Sequence, residues 1–270
     1  ELLVDYKDTT SLWYISTKSM TDYKVLITTS GTGSRLGELT QNTNKSLVLL
    51  QNQPIINYIV NSYPPQIELV FTLGYFGNKV KDYLIKQFPN RKLTFVNIDK
   101  YQGEGSSLGY SMLQAKSQLQ SPFIFHCNDT LVTASIPSPL KFNWVGGSKG
   151  LNPEIFNTNF LSSFISDSNG YLQTMNRKGA TEWNLFHIGL VGIHDYSSFW
   201  QILDNLYQKS PQDSSLNDCA VIQIMLSHGS KFKTIEFPHW FDTGNPVSLD
   251  FTQRHFNPSS TPRTRPQNHN

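Results

Sequence analysis

Apolar positions along this chain fall into two regimes. Dense short runs, Val25-Leu26-Ile27, Glu68 to Leu73, Pro122 to Cys127, Phe186 to Ile193 and Phe232 to Phe237, read as strands, and Lys92 to Ile98, where apolar and polar positions alternate, reads as another. Between them, apolar residues recur at helical spacing over Ile55 to Val60, Asn78 to Gln87 (Val80, Tyr83 and Leu84 on one face), Ser107 to about Leu119, Tyr196 to Tyr207, Cys219 to Leu226 and Val247 to Phe256. Ser46 to Leu50 reads as a further short strand, and Leu172 to Lys178 as another, entered from a turn over Asp167 to Gly170. Strands alternating with helices predict βαβ units. They imply an α/β fold with helices on both faces of a mixed, mostly parallel sheet, whose ligand crevice lies at the carboxyl ends of the strands.

The chain has 270 residues, enough for one large α/β domain with a sizeable core. A net charge of +2, with 16% charged residues, leaves no global basic field that would argue for nucleic acid, so a charged ligand must be held by a local site. No apolar run approaches the length of a membrane span and the first residues lack a signal-peptide pattern, which predicts a soluble, cytoplasmic protein without membrane insertion. Cys127 and Cys219 read as two buried thiols in a reducing compartment. Residues 1–19 read as an extension outside the main domain (20–256). Residues 257–270, polar and Pro-rich, read as a flexible tail or linker.

The chemistry begins where the first strand breaks. Ser30-Gly31-Thr32-Gly33-Ser34 supplies two glycines and small hydroxyl side chains, so backbone N–H groups can approach a bulky anion. Arg35 and Lys45 follow as two fixed cations able to neutralise a polyphosphate. The spacing is neither G-x-G-x-x-G, because Leu36 stands where the third glycine would be, nor a P-loop. Gly189 interrupts its strand and lets a ligand approach the backbone. His126 alternates with apolar residues and reads as a hydrogen-bonded core histidine.

The order strand, G-x-G-[ST]-R-L, about ten residues, Lys, then an apolar segment with Pro54 resembles the signature of the sugar-phosphate nucleotidylyltransferases, or nucleotide-sugar pyrophosphorylases. The resemblance runs from Tyr23 to about Phe256 and recurs in segments 71–84, 103–116, 123–132 and 239–249. It is nearest to capsule- and surface-polysaccharide-type members, through the H-x-x-D-T and W-[FY]-D-T-G-N phrases. It implies a three-layer, Rossmann-like nucleotidyltransferase fold and an enzyme of the 2.7.7 class. Such an enzyme transfers NMP from a nucleoside triphosphate to a sugar 1-phosphate, or a related phosphate acceptor, and releases pyrophosphate. Its product would be an activated nucleotide-sugar for surface polysaccharide. By the same resemblance Gly105 and Ser106 contact the base and Lys178 the acceptor's phosphate, although Arg177 stands where the family commonly has an acidic residue. Glu182 is a candidate acceptor for a sugar hydroxyl. Beside a triphosphate, Asp129 at the end of its strand, paired with Asp242, would hold Mg²⁺.

Two alternatives remain open at this stage. One is a metal-dependent glycosyltransferase of similar fold, which should show a compact D-x-D that Asn128-Asp129-Thr130 does not provide. The other is a non-catalytic nucleotide-binding domain of a larger protein. The base, the acceptor, fusion to further domains and oligomeric state are left undetermined.

Overall fold

The computed structural model describes residues 23–152 and 154–258. The extension at 1–19, the start of the 20–256 domain and the tail from 259 onward lie outside them. In chain order the elements are β1 (Lys24–Thr28), β2 (Leu49–Leu50), β3 (Gln53–Pro54), α1 (Ile55–Asn61), β4 (Glu68–Leu73), α2 (Gly77–Gln87), β5 (Leu93–Asn97), α3 (Leu108–Gln114), β6 (Phe123–Cys127) and β7 (Thr130–Val132). They continue as β8 (Asn143–Ser148), β9 (Ser163–Ser166), β10 (Leu172–Asn176), β11 (Leu185–Ile193), α4 (Tyr196–Lys209), α5 (Asp218–Ser227), β12 (Phe232–Glu236), β13 (Trp240–Asp242) and α6 (Pro246–His255).

One mixed sheet organises the molecule. Its first half runs β5-β4-β1-β6 with every neighbour parallel. Beyond β6, the long strand β11 pairs antiparallel with β6, β8 and β9, and β12 lies parallel to β8. Both faces are covered, which is why the parallel strands are apolar without alternation. Val25, Ile27, Leu69 and Phe71 pack in one core with α1, α2 and α6, whereas Leu26 and Val70 face the other core with α3, α4 and α5. This is the three-layer α/β/α arrangement expected from the pattern. No described helix is long and apolar enough to cross a membrane.

The structure departs from the sequence expectations in several places. Ser46 to Leu50 is not one strand: Lys45–Leu47 forms a single 3-10 turn and only Leu49–Leu50 pairs, because Asn44 caps the turn by accepting from the Ser46 amide. The helix after Ser107 ends at Gln114, short of Leu119, and a 3-10 turn over Lys116–Gln118 follows. The strand read to Lys178 stops at Asn176, and the chain then turns at Gly179, whose φ is 84°. Strands β3, β7, β8, β9 and β13 have no counterpart in the sequence reading. In β8 the Gly146-Gly147 pair looks like a break, yet the sheet needs it: a Cβ on Gly147 would lie 2.4 Å from the Phe164 ring.

Candidate active site

The loop leaving β1 is held open by its own residues. Gly33 sits in the left-handed region (φ 67°), and a Cβ there would come within 2.9 Å of Lys45 Cβ, so glycine is required both by the backbone and by the lysine stem packed over it. Leu36 is buried in the core and pins the segment from below. Asn44, fully buried, ties the loop to the next strand. Its amide donates to the carbonyls of Thr29 (2.8 Å) and Tyr75 (2.6 Å), while its Oδ1 accepts from the Ser46 N–H and hydroxyl. Asn44 therefore sets the position of Lys45, a role the sequence reading missed. Its signal was an N-cap residue directly before the lysine.

The two aspartates meet through a small ladder whose strands lie far apart in sequence. Strand β13 pairs antiparallel with β7, placing Asp242 opposite Thr130, and the Thr243 N–H donates to the Asp129 carbonyl at 2.9 Å. Asp129 Oδ2 accepts from Lys45 Nζ at 2.6 Å and from Arg35 at 3.4 Å. Asp242 is gripped from below by the Ser248 hydroxyl (2.5 Å), the Gly244 N–H (3.0 Å) and the Asn245 amide (3.3 Å). Both carboxylates converge on Gly244. A Cβ on Gly244 would lie 2.8 Å from Asp129 Oδ2, 2.9 Å from Asp242 Oδ1 and 3.1 Å from the Arg35 guanidinium.

The electrostatics of the pair are asymmetric. Burial works against the Asp129 charge, but the Lys45 ammonium, a hydrogen bond from the Cys127 thiol and Arg35 together hold its carboxyl below the usual carboxylate range. Burial likewise opposes the charge on Lys45, and Asp129 overcomes it, so the amine stays protonated. Asp242 has no cation of its own against it. Burial first, and then the Asp129 charge, push its carboxyl up to about 6. Two buried acidic groups that converge beside Gly244, one of them short of positive charge, form a donor set that suits a hard divalent cation.

A cavity of about 230 Å³ lies over this pair, at the carboxyl ends of β6 and β1. Arg35, Asp129, Lys178, Gly189 and Asp242 line it together, although they are spread over most of the chain. Gly189 carries a left-handed φ of 68° at a bulge in β11, and a Cβ there would strike Cys127 at 2.5 Å. Gly31 and Ser34 are exposed at the lip of the anion loop, with Thr32 half-buried between them. Ser30 is different: its hydroxyl is buried and paired with Ser111 on α3 at 2.9 Å, so it stiffens the loop rather than facing outward. Gly105 and Ser106 form the turn into α3 and do not line this cavity; the Ser106 hydroxyl donates to the Gly103 carbonyl, and Ser107 is the helix cap. Arg177 and Glu182 are exposed and do not line it either. His126 is the core histidine expected, bonded to the Tyr63 hydroxyl and the Thr130 carbonyl and held neutral by burial, with its pKa lowered to about 4. The cavity wall also contains His187, Asp218 and Cys219. The first two were not singled out from sequence, because a histidine in an apolar strand and an acidic residue at a helix start are both commonplace.

No protein-family profile matches the chain. It is 25% identical over 240 residues to "Bifunctional protein GlmU" of Methanococcus vannielii, covering 86% of this chain and 54% of that protein, so it spans about half the length of such curated relatives. Among solved structures it superposes on the CTP:phosphocholine cytidylyltransferase LicC of Streptococcus pneumoniae with a TM-score of 0.68 at 17% identity, over 86% of this chain and 98% of that one. The UDP-glucose pyrophosphorylase of Acinetobacter baumannii gives 0.67 at 16% identity, over 86% and 92%. At these identities the likeness establishes the fold, a mixed α/β sheet shared with nucleotidyltransferases.

Proposed function

We propose that this chain is a sugar-phosphate nucleotidylyltransferase: it joins the NMP part of a nucleoside triphosphate to a phosphate acceptor, a sugar 1-phosphate in the first instance, and releases pyrophosphate. The observation that carries this reading is the convergence of Asp129, Asp242, Arg35 and Lys178 on one cavity, with Lys45 buried against Asp129. A role in supplying activated sugars for surface polysaccharide belongs to the same proposal, as do the 2.7.7 class and the cytoplasmic setting.

The reaction asks little covalent chemistry of the protein. The acceptor phosphate is already ionised near neutrality, and its oxygen attacks the α-phosphorus in line as pyrophosphate leaves, so no general base is needed. Lys45, fixed by Asn44 and Asp129, is preorganised to neutralise charge at the reacting phosphates. Arg35, whose side chain is 59% exposed, is free to close over the departing pyrophosphate. Gly31 to Ser34 would line the phosphates with backbone N–H groups, and the α3 entry at Gly105 and Ser106 is offered as the base-proximal wall. Lys178, on the cavity rim, would receive the acceptor's phosphate, and Gly189 leaves room for its body. Asp129 and Asp242, whose carboxylates converge beside Gly244, would hold Mg²⁺, which would supply charge neutralisation on the phosphates when bound.

The test is pyrophosphate release with Mg²⁺ across the common nucleoside triphosphates, each against a panel of sugar 1-phosphates and alcohol phosphates. Turnover that needs both substrates and vanishes in Asp129→Ala supports the reading. Triphosphate binding without release in any pairing would overturn it and favour a nucleotide-binding domain.

A further inference from the structure

The same cavity carries a second cluster that the transfer reaction leaves unused. One ring nitrogen of His187, a carboxylate oxygen of Asp218 and the Cys219 sulfur all lie within 4.8 Å of one another. Nε2 of His187 is 2.8 Å from Asp218 Oδ2, and the two side chains are only 6% and 5% exposed. Strand β11 supplies the histidine beside the Gly189 bulge, and the first turn of α5 supplies the other two. Nε2 is thus the ring nitrogen turned to Asp218, while Nδ1, on the other edge of the ring, is buried with no hydrogen-bond partner.

We propose that His187, Asp218 and Cys219 form a binding site for a borderline divalent transition ion of the zinc class, with a further coordination position open to the cavity. The donors argue for this ion by type. Imidazole nitrogen, thiolate sulfur and one carboxylate oxygen suit zinc or its neighbours, whereas Mg²⁺ seeks an all-oxygen octahedron such as the Asp129 and Asp242 pair with phosphates and water would supply. Charge argues the same way. A thiolate and a carboxylate balance a dication, so the buried site becomes neutral overall once filled; the thiol proton and the proton that Cys219 and Asp218 hold on the His187 ring both leave to solvent as sulfur and nitrogen coordinate. Distances also fit. Ligand atoms around one tetrahedral zinc stand roughly 3.3–3.6 Å apart, so closure needs side-chain shifts of about 1 Å or less from the present spacing. Three protein ligands and one open position is the arrangement that lets a ligand oxygen reach the metal. The site stands whether or not the transfer reaction does.

The experiment uses the full chain, reduced and stripped of metal by a chelator, titrated with Co²⁺ as a spectroscopic stand-in for zinc. We expect one equivalent to bind with a thiolate-to-cobalt charge-transfer band, and Zn²⁺ to bleach it. Cys219→Ser should lose the band, Cys127→Ser should keep it, and His187→Ala should weaken binding about tenfold or more. No band in the unmodified protein, a band that survives Cys219→Ser, or one lost only in Cys127→Ser would overturn the assignment. A readout that needs no variant guards against misfolding: Zn²⁺ should protect Cys219 from alkylation, mapped by mass spectrometry. Unchanged alkylation of Cys219 with and without zinc would also refute the site.

Discussion

Replacing Asp242 with asparagine should trade function for stability in a pH-dependent way. In the folded protein this carboxyl is held at about 6, against an ordinary value of 3.8. The unfolded chain therefore gives up the proton first. The stability associated with this group is complete below about pH 4 and is lost as pH rises through about 6. A gap of about two pH units, at about 1.4 kcal/mol each, amounts to roughly 3 kcal/mol for a side chain only 8% exposed. Asparagine does not titrate, so the stability of Asp242→Asn relative to the parent should climb by roughly that amount between pH 4 and 7. The amide nitrogen cannot accept from Ser248 or Gly244, which subtracts a nearly constant penalty at every pH. The slope of the difference is the observable, not its sign at one pH. Asp129 contributes nothing to the window, since its carboxyl titrates below it. Urea unfolding of both proteins in a chelating buffer, at steps from pH 4 to 7, measures the quantity. A difference that stays flat over this range would refute the argument that burial and Asp129 together strain Asp242. Adding millimolar Mg²⁺ at pH 7 should then stabilise the parent and leave the variant unmoved, which tests the proposed ion separately.

The two cations should separate cleanly. Lys45→Met leaves Asp129 buried beside Asp242 without its partner and should cost roughly 3–5 kcal/mol in urea unfolding as well as transfer activity. Arg35→Ala should change stability by less than about 1 kcal/mol yet lower the pyrophosphate-release rate about a hundredfold; equal destabilisation by both would contradict the geometry. Asn44→Ala frees two carbonyls and a cap and should cost about 2–4 kcal/mol while raising KM for the triphosphate, read in the same two assays. Lys178→Ala should raise KM for the acceptor and leave that for the triphosphate unchanged, and a rise in both would remove Lys178 from the acceptor's phosphate.

Much of the fold was legible because its signals are local. Glu68–Leu73 is legible to the residue, since a parallel strand buried on both faces shows consecutive apolar residues, here Leu69-Val70-Phe71, rather than alternation. The helix from Tyr196 carries a one-sided apolar stripe, and the one from Cys219 is apolar nearly all round. What failed was chemistry that only neighbours justify. The glycines of Asn143–Ser148 look like a break until Phe164 and Leu190 are seen pressed against them. The apolar stretch after Lys45 looks like a strand until the Asn44 cap converts its first turn to a 3-10 helix. Ser30 has the composition of an anion loop, yet its hydroxyl turns inward to Ser111.

The sequence alone offered the residue types of the candidate site and the elements that carry them: two glycines with two cations after the first strand, an aspartate where β6 ends, and another in the segment that follows the strand at Phe232 to Phe237. Local propensity and apolar periodicity suffice for that, because each depends on residues a few positions apart. The tertiary structure decided which of these groups meet. The β7–β13 ladder brings Asp129 to Asp242 across more than a hundred residues. Lys45, against the effect of burial, pulls one carboxyl down, and burial with the Asp129 charge pushes its partner up. The packing of β11 against α5 sets His187 beside Asp218 and Cys219 in the same cavity. Charge coupling falls off over a few ångströms, and no spacing along the chain encodes distances of that kind.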